Sequence, residues 1–274
     1  MKIVLTCFLS VLLLGLVIKL ILVARSRHLR NKENQYYKEQ NHWLAEQFRR
    51  CNVAVFGKKG TGKDLLFAHA IYLRRENHYA NIPYDERTEV IPLKSIGVGG
   101  NDYMSILENN IQKIERGFVT GQDVYLSDAG TFFPSQYNEK LDKLYAGVPI
   151  FMALSRQLYQ LNVHFNVQEL SRVWNKIREQ ADCYIRVLKS RFNGAYVFID
   201  TISYQQYNTA EKGVLPPLEP SDKAERRELE EFTARNGEVV YRTFRMHRKE
   251  IKYDTYYFAK VFFNDENLKE CDFG

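Results

Sequence analysis

The chain has 274 residues, 45% of them hydrophobic and 14% aromatic, enough apolar material to bury a sizeable core and unlike the composition of a disordered chain. Its net charge of +6 would ordinarily point to nucleic acid. However, residues 1–32 carry Lys2, Lys19, Arg25, Arg27, Arg30 and Lys32 and no acid, so the rest is neutral by count, which excludes a strongly basic DNA-coating protein.

Residues 3–24, IVLTCFLSVLLLGLVIKLILVA, would as a helix extend roughly 33 Å, about one bilayer core. Lys19 lies near the end of this stretch, where its stem can stay in hydrocarbon while the ammonium reaches the headgroups. No small-x-small cleavage site precedes RSRHLR, so the expectation is an uncleaved transmembrane anchor over 1–24 rather than a signal peptide. The basic flank follows the span and therefore places residues 25–274 in the cytoplasm, on the inner or cell membrane. Cys7, Cys51, Cys183 and Cys271 are scattered without CxxC or Cys/His spacing, which fits reduced thiols and no zinc site. Residues 25–50 read as a basic juxtamembrane stretch and a helical connector, free of Gly and Pro, with Tyr36, Trp43 and Phe48 loosely spaced: a helix leading off the membrane and leaning on the domain or, the favoured reading, a solvated connector.

Residues 52–56, NVAVF, suit a buried parallel strand, and GKDLLFAHAIYLRRE from residue 62 has a helical pattern. Between them Gly57, Lys58, Lys59, Gly60, Thr61, Gly62 and Lys63 satisfy GxxxxGK in a strand–loop–helix setting. Glycines let the backbone amides turn inward around a phosphate, the helix start adds its positive end, and Lys63 can reach the β- and γ-phosphates of ATP. Asp64 departs from the motif, which places Ser or Thr there as a Mg²⁺ ligand. Its carboxylate can hold Mg²⁺ directly, repels phosphates when the ion is absent, and is also an ordinary residue for the first turn of a helix.

A second acidic site is supplied by DVYLSDAG, residues 123–130, with Asp128 at the tip of a short strand and a candidate metal residue beside Asp64. Two registers are open. In one, Asp128 orients the metal and Ala129 stands at the catalytic acid position; in the other, Ser127 takes the metal position and Asp128 activates water. Either way one acid of the usual pair is missing, which predicts slow hydrolysis.

The ordered series of P-loop, ANIPY (80–84), LSDAGTFFPSQYN (126–138) and ALSRQLYQLNVHFNVQELSRVWNKIREQADCYIRV (153–187) resembles the zonula occludens toxin-like family, the assembly and export ATPases of filamentous phages related to the FtsK/HerA class of DNA-pumping motors. The resemblance covers roughly residues 50–190 and implies a P-loop ATPase using ATP and Mg²⁺, working as a homo-oligomer with phage coat or other assembly proteins and, in part, single-stranded DNA. It implies that Gln168, at a strand end, senses the γ-phosphate or places water, and that Arg178, on a helix, reaches a nucleotide in its own or a neighbouring subunit. Their plain readings are a helix-capping glutamine and a surface arginine paired with Glu179 or Asp182. Arg156 and Asn81 are read as structural, His69 and His164 as core or edge histidines. The anchor precedes the ATPase here, whereas in the family it follows.

The fold expected is α/β: a P-loop NTPase domain with a mainly parallel sheet over residues 51–190, preceded by the transmembrane helix and followed by a C-terminal α/β appendage, 191–274. Within the appendage, AYVFIDTISYQ (195–205) is strand-like, residues 213–222 form a Pro-broken loop, 223–237 a charged helix, and 238–263 strands in which Arg242, Arg245, His247, Arg248 and Lys249 interleave with aromatics. That interleaving fits single-stranded DNA or, more simply, a half-buried hairpin. The expected function is a membrane-anchored ATPase powering or docking the export of filamentous phage or its genome. The alternatives are a nucleotide-binding membrane scaffold with little hydrolysis, a cellular DNA translocase, and, weakest, a small-molecule kinase. If the anchor and its orientation are right, protease added to intact cells leaves residues 25–274 uncut; digestion of that region from outside would overturn the topology.

Overall fold

The computed structural model describes residues 2–95, 103–135, 147–191, 196–202, 240–246, 253 and 257, with the side chains of residues 2–12, 198, 200, 202, 240 and 241 outside the description. The chain divides into two compact units, residues 1–42 and 43–274, described separately.

The first unit is part of one long helix, α1, Lys2–Arg50. Its large apolar side chains from Leu13 to Val23 are exposed. Among the described residues no helix is long and apolar enough to cross a membrane, so the transmembrane span expected over residues 3–24 lacks support there; the side chains of the first half of that stretch lie outside the described residues.

The second unit takes up the last turns of α1. Leu44 and Phe48 are completely buried, which corrects the expectation of a solvated connector: Phe48 lies edge-on to Phe67 at 5.8 Å and stacks on Tyr125 at 6.0 Å. The chain then alternates strands and helices: β1 (Val53–Phe56), α2 (Lys63–Arg74), β2 (His78–Ala80), β3 (Thr88–Val90), α3 (Tyr103–Glu115), β4 (Val124–Leu126), α4 (Ala129–Phe132), α5 (Gly147–Tyr159), β5 (Val163–Val167), a 3₁₀ turn (Leu170–Arg172), α6 (Asn175–Arg178), β6 (Cys183–Arg191), β7 (Tyr196–Ile202) and β8 (Val240–Arg245).

The strands form one sheet in the order β3-β2-β4-β5-β1-β6-β7-β8. The first six run parallel and β7 and β8 are added antiparallel. The parallel centre explains the short, wholly apolar runs: β1 and β4 are buried at every position, because helices cover both faces of such a sheet. Alternation sorts the side chains. Ala54 and Phe56 join one core with Leu107 and Ile111 of α3 and Phe151 and Met152 of α5; Val53 and Val55 join the other with Leu66, Phe67 and Ile71 of α2 and Phe48 of α1. The described part of 191–274 thus continues the same sheet, and Arg242 of β8 lies with its guanidinium 4.2 Å from the Trp43 ring. The expected loop at 213–222, the helix at 223–237, and His247, Arg248 and Lys249 lie outside the described residues.

The sheet interior holds a polar group at the end of α2. Arg74 is paired with Asp123 just before β4 and donates to the Phe48 carbonyl at 2.8 Å. Asp123 also accepts the Asn162 amide at 2.6 Å and meets Nε2 of His164 at 3.4 Å. On the other side of the same ring, Nδ1 accepts the Val53 amide at 3.2 Å. One ring nitrogen accepts and the other donates, so His164 is the neutral tautomer with its proton on Nε2.

Burial holds His164 below its ordinary value against the pull of Asp123, and burial likewise lowers His78. Both remain neutral in the folded chain while the unfolded chain takes up protons below about pH 6.5. Their contribution to stability is therefore present above that pH and is lost as pH falls through the window below it, by up to about 1.4 kcal/mol per pH unit for each histidine. Asp123 is also held low despite its burial, by His164 and Arg74, so its contribution is lost only at more acid pH. Denaturant unfolding between pH 7 and 5 should show stability falling with pH, and His164→Gln should flatten that slope by about one proton's worth, ~1.4 kcal/mol per pH unit, even though the variant starts less stable; an unchanged slope would remove His164 from this role.

Candidate nucleotide-binding site

Leaving β1, the backbone turns at Gly57 with φ 152°, and a Cβ there would stand 2.4 Å from the Val187 carbonyl oxygen of neighbouring β6. Only glycine lets the loop leave the strand this close to the next one. Gly62 precedes α2 with φ 100°. Between them the Lys58 carbonyl gathers the loop: it accepts the Thr61 amide at 3.3 Å, the Thr61 hydroxyl at 2.8 Å and Lys63 Nζ at 3.1 Å. Lys58, Lys59 and Gly60 are exposed and Lys63 is buried. The first amides of α2 have no partner within the helix, and the positive end of its dipole faces the loop. The expected strand–loop–helix is thus formed, and it presents backbone donors and a lysine to an anion.

The tips of β4 and β5 lie across from this loop. Ser127 follows β4, and the amide of Asn81 brackets it: Asn81 Nδ2 donates to the Ser127 carbonyl at 2.8 Å, while Asn81 Oδ1 accepts the Ser127 amide at 2.7 Å. From the end of the same ANIPY stretch, the buried Tyr84 hydroxyl bonds to Ser127 Oγ. Asp64 Oδ1 accepts the Ser127 hydroxyl at 3.0 Å and Asn166 Nδ2 at 2.8 Å. Asn166, completely buried in β5, also donates to Ser127 Oγ at 3.2 Å and accepts the Asp128 amide at 2.9 Å through Oδ1. Asp128 itself is left-handed, φ 50° and ψ 44°, a conformation that Asp and Asn tolerate better than most residues and that collects at functional sites.

Lys63, Asp64 and Asp128 are close enough to act on one another. Burial holds the Lys63 ammonium below its ordinary value against the opposing charges of Asp64 and Asp128. Asp128 is pushed above its ordinary value, first by burial and then by Asp64, with Lys63 and Lys59 pulling the other way. Tyr84 is driven well above its ordinary value by burial and by Asp64, so it stays a hydrogen-bond donor. Among the described residues no group of three or more His, Cys, Asp or Glu could hold a metal; an ion between Asp64 and Asp128 would need further oxygens, as phosphates supply.

The other sequence candidates lie further out. Gln168 is half-buried and follows β5; the Phe56–Val167 pair sets it level with Gly57. Arg178 ends α6, where Nη1 donates to the Leu170 carbonyl at 3.3 Å and its own carbonyl accepts the Tyr184 hydroxyl at 2.8 Å, bonds that hold α6 to the 3₁₀ turn and β6. Arg156 spans the Arg50 carbonyl at 2.9 Å and Asp182 at 2.7 Å, tying α5 to the end of α1. His69 is buried in α2, its ring 6.4 Å from Phe244. The stretch 97–100 lies outside the described residues. Sequence reading missed Asn166 and Tyr84. The signal for Asn166 was present: an amide in a wholly buried strand, VHFNV, must have partners waiting for it.

No protein-family profile and no curated protein matches the sequence. Among solved structures the chain is similar to the N-terminal domain of zonular occludens toxin from Neisseria meningitidis, at 10% identity over 72% of this chain and 95% of that one with a TM-score of 0.39. It is also similar to the genome packaging NTPase B204 from Sulfolobus turreted icosahedral virus 2 in complex with ATP-gammaS, at 10% identity over 57% and 94% with a TM-score of 0.34. A third likeness is to a Thermotoga maritima RuvB variant, at 9% identity over 59% and 47% with a TM-score of 0.35. At such identities and scores the likeness carries no functional argument, which rests on the side chains described above.

The two loop glycines separate two kinds of cost. Gly57→Ala meets both the Val187 carbonyl and an unfavourable φ, whereas around Gly60, at φ 78°, an added Cβ meets nothing within 4 Å. Chemical denaturation should show Gly60→Ala losing about 1–2 kcal/mol, the left-handed penalty alone, and Gly57→Ala losing about 3 kcal/mol or more as overpacking is added; equal losses would mean that the loop is not held against β6.

Proposed function

We propose that this chain is a membrane-anchored ATPase resembling the phage assembly ATPases, which binds ATP with Mg²⁺ in residues 57–64 and powers or docks the export of filamentous phage or its single-stranded DNA. The observation that carries the nucleotide part is the buried Lys63 ammonium beside Asp64 and Asp128, at a helix start reached through a glycine-ended loop. Among the described residues Lys63 Nζ spends one of its three donors, on the Lys58 carbonyl, which leaves donors for a phosphate.

In this reading the loop amides and Lys63 bind the β- and γ-phosphates. Asp64, joined by Asp128 in one register of the strand tip, would hold Mg²⁺, which supplies neutralisation of phosphate charge when bound. In the other register Asp128, with its raised affinity for protons, is suited to accept one from the attacking water; Gln168, level with Gly57, is suited to position that water. Arg178 would act only by exchanging its Leu170 bond for a nucleotide, as an arginine acting across a subunit boundary would. Homo-oligomerisation, coat or other assembly proteins as partners, single-stranded DNA, and the cytoplasmic placement of residues 25–274 belong to this proposal through the order of motifs along the chain. So does the anchor, which rests on the apolar stretch of residues 3–24. A second reading, a nucleotide-binding scaffold with little hydrolysis, is favoured by one observation: the strand tip carries Ser127 and Asp128 in place of two acids.

The full-length protein in mild detergent tests both. Lys63→Ala should weaken ATP binding tenfold or more in calorimetry, about 1.4 kcal/mol, with the unfolding transition of the chain retained; equal binding by both proteins would reject the phosphate-loop reading. Phosphate release by the natural protein that disappears in Lys63→Ala supports the motor, and tight binding without release supports the scaffold.

A further inference from the structure

The hydrogen bonds around Asp64 bear on which register the strand tip uses. In P-loop NTPases generally, the loop supplies a hydroxyl to Mg²⁺ and the tip of a neighbouring strand supplies an aspartate. Here the acid is on the loop, the hydroxyl is on the strand tip, and the two are hydrogen-bonded at 3.0 Å. We propose that Asp64 and Ser127 are an exchanged pair: the same acid and hydroxyl, with the elements that carry them swapped, so that Asp64 is the direct metal ligand and Ser127 the residue that orients it. This rests on the nucleotide-binding reading and deepens it.

The hydrogen-bond inventory supports the division of labour. The Ser127 hydroxyl has one proton and two lone pairs. A carboxylate can only accept, so that proton goes to Asp64 Oδ1. The lone pairs then receive Tyr84 and Asn166 Nδ2, which leaves Ser127 Oγ with nothing for a cation. Asp64 Oδ1 is likewise engaged, by Ser127 and Asn166. Oδ2 makes no hydrogen bond among the described residues and is the oxygen that remains for a metal. Asn81 clamps both backbone groups of Ser127, and the ring of Tyr84 is buried, so the donor side is rigid: three neutral side chains, Ser127, Asn166 and Tyr84, are spent on pointing one carboxylate. Such orienting partners of a ligand carboxylate are the usual second layer of a metal site.

If Ser127 takes the metal-pair position, Asp128 takes the next one, that of the water-activating acid. Its left-handed backbone, fixed by the Asn166 bond to its amide, turns it away from the line of β4 that Ser127 continues. The exchange also gives the loop acid a purpose beyond helix capping, because a carboxylate used only for the dipole of α2 has no need of donors from two other strands.

The test is a reciprocal swap, measured as binding of a non-hydrolysable ATP analogue by the full-length protein with Mg²⁺ and after chelation. In the natural protein chelation should weaken binding by about tenfold or more, since an unneutralised Asp64 then faces the phosphates. Asp64→Thr leaves two hydroxyls and no acid at the exchanged pair, with Asp128 unchanged, and its dependence on Mg²⁺ should shrink to about threefold or less. Ser127→Asp sets two carboxylates against each other and should bind most weakly after chelation. The double variant Asp64→Thr with Ser127→Asp restores one acid and one hydroxyl, and its Mg²⁺ dependence should return to within about threefold of the natural protein's. A folded double variant no better than Asp64→Thr overturns the exchange. Should the double variant fail to fold, Ser127→Ala decides: it keeps the acid but loses its orienting donor, so Mg²⁺ dependence should fall while binding after chelation is unchanged, and an unaltered dependence overturns the proposal. Binding by the natural protein that is indifferent to chelation also overturns the exchange and leaves the nucleotide-binding reading standing. Failure to bind the analogue under either condition rejects the nucleotide reading itself.

Discussion

β5 pairs in parallel with β1 on one side and β4 on the other, and the site depends on this insertion. Parallel neighbours lie ~4.8 Å apart, so the loop after β1 and the acid after β4 are set two strand spacings apart, too far for their side chains to be organised by the backbone alone. β5 bridges the gap with two polar residues in alternate positions, His164 and Asn166, which alternation places on one face. Asn166 reaches Asp64, Ser127 and Asp128 at the tip. His164 joins the Val53 amide to Asp123 further back. Its other residues, Val163, Phe165 and Val167, belong to the opposite core, so the strand is at once a hydrophobic wedge and a polar tie.

Helix α2 carries charge at both ends, and the two ends are treated differently. At its last turn Arg74 has Asp123 and the Phe48 carbonyl, and Asp123 is itself saturated by Asn162 and His164. A buried ion pair tolerates its desolvation when every lone pair is met, and this one fastens α2, β4, β5 and the end of α1 together. At its first turn Lys63 has only one carbonyl within the loop and two acids nearby, and both Lys63 and Asp128 are shifted toward their neutral forms by burial. The far end of the helix is a finished structural joint; the near end is less completely paired, as the proposed binding of a charged ligand requires.

The outer part of the sheet supports this arrangement from the other side. β6 supplies the Val187 carbonyl against which Gly57 packs and the Ser190 side chain beside Gly62, so the loop is shaped by β6 as much as by its own glycines. β7 and β8 extend β6, and Phe244 of β8 stacks on Trp43 at 6.2 Å while Arg242 covers the same ring. The end of α1 is thereby built into the second unit, although in sequence it looks like a polar connector.

The strand–loop–helix at residues 53–74 was legible because each part is a local signal: a short β-branched run, glycines where the backbone needs positive φ, and a lysine beside a helix start. The parallel sheet was legible for the same reason, since strands buried on both faces read as unbroken apolar runs. Other features depend on contacts between distant segments, which no local pattern encodes. Phe48 is buried because Phe67 and Tyr125 lie above it, not because its neighbours QFRR are apolar. The register at Ser127 and Asp128 stayed ambiguous in sequence because the residue that bears on it, Asp64, is far away along the chain and meets Ser127 only across the inserted strand β5. Likewise Asn166 is one amide in an apolar run until three partners from two other elements converge on it. The sequence by itself determined that a glycine-rich strand–loop–helix opens an α/β domain; only the tertiary structure decided which side chains face that loop, because hydrogen bonds across a sheet are set by strand order and register rather than by neighbours along the chain.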